Sequence, residues 1–75
     1  MNLAALDAAL LDAHEKNDYP QLVTLYRQAG LSCIDANDVD AGCFYLTHAY
    51  LFALVAGLSV ATEIHQTLVA FGREE

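Results

Sequence analysis

From Val39 to Ala56 the chain runs without a proline and with one charged side chain, Asp40, and no other segment so restricts the folds it can adopt. Wound at about 100° per residue, it places Gly42, Ala49, Ala53 and Ala56 on one narrow strip, where small side chains let a neighbouring helix backbone come close. A second face carries Val39, Cys43, Leu46, Tyr50 and Leu54. A third carries Phe44, Leu51 and Val55 with His48 at its edge, leaving a slim polar sector around Asp40 and Thr47. With Asn37 or Asp38 as its cap and Gly57 as its breaker, the segment is expected to form one rod about 28 Å long. A helix that is apolar nearly all round belongs inside something.

The chain offers little to put it inside. It has 75 residues, of which 56% are hydrophobic and 17% charged. That is material for one domain, 1–75, and for more apolar surface than so short a chain easily hides. Leu3, Leu6, Leu10 and Ala13 recur at helical spacing after a possible cap at Asn2, so a first helix ends near Glu15 or Lys16. In Asn17-Asp18-Tyr19-Pro20-Gln21, Asp18 is placed to cap a second helix, Pro20 suits its first turn and Gln21 can complete a capping box. That helix carries Leu22, Leu25, Tyr26, Ala29 and Cys33 on one face and continues through Gly30 to about Asp35. After Gly57, Ser59 is the expected cap of a fourth helix with a stripe of Val60, Ile64, Leu68 and Phe71. Short connections make consecutive helices antiparallel, and the expected fold class is all-α, four antiparallel helices forming two helical hairpins.

Charge narrows the partners. Ten Asp and Glu against three Lys and Arg give a net charge of −7, which repels nucleic-acid phosphates and anionic lipid surfaces. Cys43 to Leu58 is the most apolar window, but it is short for a span, contains Thr47 and His48, and lacks flanking basic anchors. The start has no basic segment followed by a continuous apolar run, and only Cys33 and Cys43 occur, so a reduced, cytoplasmic protein is expected.

Few constellations suggest chemistry, and no catalytic, cofactor or metal residue is assigned. His48 and His65 lie almost symmetrically about the Gly57 turn and could sit side by side. With Cys43 they would give the alternative reading, a small-ligand or metal-binding bundle, although neither belongs to a tight ligand motif. The acids from Asp35 to Asp40 resemble the start of a calcium loop, but Val39 takes a ligand position and the turn glycine is missing, so capping explains them better. Cys43 and His48 wind about 140° apart, too far round for a nucleophile and its base. The aromatic residues default to core packing. The exceptions expected at a partner interface are Phe44, Tyr45, His48, Phe52 and Val55, with Phe52 and Tyr45 sharing one side of the long helix.

Asn17-Asp18-Tyr19, with Tyr26 and Ala29 following at fixed helical offsets, resembles the turn and second helix of a tetratricopeptide repeat. Asp38 to Phe71 is similar in outline, with Leu46 and Tyr50 like first-helix packing residues, Gly57 like the turn glycine and Ala61 like the small residue after it. Leu22 and Leu10 stand where the family prefers small residues, no proline follows either hairpin, and the third helix is about a turn longer. The resemblance implies a protein-binding module rather than an enzyme. Two repeats leave both ends exposed, so a homodimer or higher assembly, with an unknown further protein partner, is the expectation.

Overall fold

The computed structural model describes residues 3–73, which form four α-helices and no strand: α1 (Leu3–Glu15), α2 (Tyr19–Asp35), α3 (Val39–Ala56) and α4 (Val60–Ala70). Each ends in the same way. Asn17, Asn37, Gly57 and Gly72 take left-handed φ values of 52°, 66°, 68° and 72°. The N–H of the next residue then reaches back to a carbonyl of the last turn. Asp18 donates to Ala13 at 2.9 Å, Asp38 to Cys33 at 2.8 Å, Leu58 to Ala53 at 2.8 Å and Arg73 to Leu68 at 3.0 Å. These six-to-one bonds satisfy carbonyls that a helix end otherwise leaves open.

At the first two ends the next residue is also the following helix's cap. Asp18 accepts the Gln21 N–H at 3.3 Å and Asp38 accepts that of Ala41 at 3.2 Å. An Asn-Asp step thus stops one helix and starts the next. The capping box expected at Asp18 forms only in this half, because Asp18's own N–H is committed to Ala13. Ser59 stands at the N-cap position expected of it but caps nothing with its side chain. Its backbone is already helical, its side chain makes no capping bond, and α4 begins with tight bonds from Ala61 to Leu58 and from Thr62 to Ser59, both at 3.2 Å. Asn2 lies outside the described residues.

The third helix is one unbroken rod, and its Gly42, Ala49 and Ala53 are buried. The closest approach is to α2. A Cβ placed on Gly30 would lie 2.8 Å from the Gly42 carbonyl oxygen and 2.8 Å from Leu46 Cγ; one on Gly42 would lie 2.5 Å from Ile34 Cγ1 and 2.8 Å from the Gly30 carbonyl. The two helices therefore meet backbone to backbone, and Gly30, a weak helix former, is what allows it. Around this contact Val23, Cys43, Leu46, Ala49, Ala53, Ala61, Ile64 and Leu68 form the core. Leu6, Ala13, Leu22 and Ala29 are buried at the α1–α2 end. Among the described residues no polar or charged side chain is buried.

The Cα atoms span 32 × 28 × 12 Å. Allowing about 4.6 Å for one helix cylinder leaves roughly 7 Å of stagger between axes, less than the 8–10 Å between packed helices, so the helices form a slab rather than two full layers. A slab covers a central helix on its sides and leaves its outer face open. Accordingly Phe44 (59% exposed), Leu51 (53%) and Val55 (68%) face outward, and so does Leu54 (52%), whose spacing places it with the packed face.

Because the Gly30 Cβ position is filled by the backbone of α3, Gly30→Val should cost about 2–3 kcal/mol by overpacking. Asn37→Gly, at a position of positive φ, should be neutral or mildly stabilising. Urea unfolding of the two variants checks this, and an unmoved midpoint for Gly30→Val would contradict the close crossing.

Candidate interaction surface

Tyr26, near the middle of α2, is the hub of a ring cluster that joins three helices. Phe52 of α3 stacks on it at 5.8 Å and 12°, and Tyr19, at the start of α2, stacks on Phe52 at 5.8 Å and 21°. His48 stacks on Tyr26 from the next turn at 5.3 Å, and Tyr45 lies 6.3 Å away. From α1, His14 presents its edge to Phe52 at 5.7 Å, and its Nε2 lies 3.2 Å from the Tyr26 hydroxyl. The register explains the convergence, since Tyr45, His48 and Phe52 fall within about 60° on α3. Such pairs add about 0.5–1.5 kcal/mol each beyond the area they bury.

Of the five residues expected at an interface, Phe44 and Val55 are exposed, whereas Tyr45, His48 and Phe52 are half-buried in this cluster. The side shared by Tyr45 and Phe52 is therefore turned largely onto Tyr26 rather than outward. The open row is Phe44, Leu51 and Val55, with His48 as the element common to row and cluster. The His48 Nδ1–H donates to the Phe44 carbonyl at 3.0 Å, and the Phe44 ring lies 4.6 Å from the imidazole.

The expected juxtaposition of His48 and His65 is not found. His65 packs on Tyr50 at 5.4 Å, and Tyr50 lies about 160° round α3 from His48. Among the described residues no group of three or more His, Cys, Asp or Glu is placed to hold a metal. Cys33 and Cys43 are free thiols, the first half-buried and the second buried. The acids that resemble a calcium loop are otherwise engaged: Asp38 caps α3 and Asp40 pairs with Arg73. Lys16 with Asp12 at 3.0 Å and Arg27 with Glu63 at 3.9 Å are surface pairs of small energetic weight.

Two depressions flank α4. An open cleft of about 490 Å³ lies between α2 and the start of α4, lined by Val23, Leu31, Leu58 and Val60 with Thr24 and Arg27 at its polar side. A smaller one of about 150 Å³ lies beside His65, Tyr50 and Leu54. By length and composition α3 could cross a membrane. In this fold, however, its glycine and alanine strip is filled by α2 and α4.

The hub itself is only partly foreseeable. The repeat-like spacing gives Tyr26 a packing role between helices, but nothing in the sequence points to His14, which reaches the cluster only because the Asn17 turn folds α1 back. The chain matches no family model, no curated protein and no solved structure.

The Tyr26 phenol titrates above its ordinary value of 10.0, first because partial burial disfavours the phenolate and second because Tyr45 is close. A raised pKa in the folded state stabilises the fold at and below the unfolded value, and that contribution is lost as pH rises through the folded one. Urea midpoints compared at about pH 9 and about pH 11 should therefore fall more for the native chain than for Tyr26→Phe. Equal falls would show that the hub is not desolvated.

Proposed function

We propose that this chain is a non-enzymatic protein–protein interaction module that associates with itself through the outer face of α3. The observation that carries the reading is the row Phe44, Leu51 and Val55, three large apolar side chains each more than half exposed on one helix. The small-residue strip and the face of Cys43 and Leu46 on that helix pack against α2 and α4, and Leu54 is open beside the row. Exposed apolar residues scattered singly are ordinary, but a contiguous row on a small domain marks a contact surface.

We read the helix pairs as tetratricopeptide-like hairpins, α1 with α2 and α3 with α4. The Asn-Asp turn before Tyr19, the hub position of Tyr26 and the burial of Ala29 and Ala61 support that likeness. In such an architecture a unit contacts neighbours through its open sides, and a short array needs another chain to complete it.

Light scattering coupled to gel filtration at micromolar concentration should report a dimer or larger species, and a clean monomer would overturn the reading. Val55→Glu should shift the distribution to monomer while the helical circular dichroism is kept. Phe52→Glu differs, since it places a carboxylate among Tyr19, Tyr26 and His14 and should cost at least about 2 kcal/mol of stability.

A further inference from the structure

We infer that the open cleft between α2 and the start of α4 binds a small aliphatic monocarboxylate. Its hydrocarbon chain lies on Leu31, Leu58 and Val60, over Val23, and its carboxylate meets Arg27. Among the described residues none that lines this cleft belongs to α3, so the inference stands apart from the self-association proposed above.

Shape and lining select the tail. A volume of about 490 Å³ falls within the range that small-molecule sites occupy, and the walls are mainly aliphatic. Val23 is buried beneath, Leu58 and Val60 are half-buried and Leu31 is exposed, so a hydrocarbon chain laid here takes apolar surface of both partners out of water. Among the described residues no aromatic ring lines the cleft, so a flat ligand finds no stacking partner and a flexible chain fits better.

Charge selects the head. The chain carries −7, yet the one charged residue among the described residues that line the cleft is a cation, Arg27. A single guanidinium suits a single carboxylate, which it can hold through two parallel hydrogen bonds. A dianion such as phosphate would bring a second negative charge, unmatched, to an already acidic chain.

Arg27 is also loosely committed. Lys16 and Arg73 sit in close pairs with Asp12 and Asp40, whereas Glu63 stands 3.9 Å from Arg27, beyond hydrogen-bond reach. Glu63 is exposed and does not line the cleft, so it can turn into water as the ligand's carboxylate takes its place. The Thr24 hydroxyl is spent on the Pro20 carbonyl at 3.1 Å, which leaves Arg27 and the Gln28 amide as the donors that orient the ligand.

Titration of sodium octanoate into the isotope-labelled full chain tests the site by nuclear magnetic resonance. Saturable amide shifts should centre on Val23, Arg27, Leu31, Leu58 and Val60, with a Kd below about 1 mM. Octylamine has the same chain length but is a cation at neutral pH, and it should bind these residues at least about tenfold more weakly. Arg27→Gln should weaken octanoate binding at least about tenfold. Glu63→Gln removes the competing carboxylate and should tighten binding about two- to fivefold. Because that substitution changes an exposed side chain, it reads the competition even where Arg27→Gln disturbs the fold. Failure to saturate below about 1 mM, or shifts centred on the outer row of α3, would overturn the inference. So would equal binding of octylamine, or no tightening in Glu63→Gln.

Discussion

The contact on which the rest of the fold depends is the meeting of α2 and α3 at Gly30 and Gly42, where neither residue has room for a single added carbon. Helix pairs ordinarily stay 8–10 Å apart according to the side chains between them. With hydrogen as the side chain at the crossing, backbones approach and the flanking Leu46, Ile34 and Ala49 close around the point of contact. That approach sets where α3 lies relative to α2. It therefore decides which sectors of α3 are covered and which is left outside. The cost is two glycines in helix interiors, roughly 1 kcal/mol each in propensity, which tight packing has to offset.

Covering and exposure follow from that placement in an orderly way. The strip opposite the outer row meets α2. One flank meets α4 through Tyr50, His65, Ile64 and Leu68, and the other meets Tyr26 through Tyr45, His48 and Phe52. The aromatic cluster ties α1 to this arrangement, since His14 reaches both Tyr26 and Phe52. No fifth helix lies over the outer row among the described residues, and four short helices in a slab could not supply one. The proposed association would cover the apolar row of α3 that these four helices leave open.

The helices and their ends were largely legible in the sequence, because they rest on local rules: Asp18 and Asp38 as caps, Pro20 in a first turn, Gly57 as a stop. A helical projection groups Phe44, Leu51 and Val55 on one face, but the interface expected from the sequence took Tyr45 and Phe52 and left out Leu51, whereas Leu51 is exposed and the other two are half-buried against Tyr26. What the projection leaves out is the identity of the neighbours. Val23 and Gly30 look peripheral to α2's apolar stripe, yet both are buried because α2 has a helix on each side. Leu54 projects with the packed face, yet it stands at the rim of a shallow depression beside Ala61, Thr62 and His65 of α4 and is open. His48 and His65 are nearly equidistant from the Gly57 turn, but similar distance along two antiparallel helices fixes height and not azimuth, and their rings pack on different neighbours. Ser59 has a capping residue's chemistry, but the chain is already helical when it arrives there.

The left-handed residues Asn17, Asn37 and Gly57 recur every 20 residues, and each closes its helix with bonds confined to the preceding turn. Every reversal of direction is consequently encoded within a handful of neighbouring positions and needs no distant contact to guide it. Nearly all pairings in the structure join segments adjacent along the chain, so little loop entropy has to be overcome before contacts form. Local pairing of this kind is the property that goes with fast folding in small helical domains.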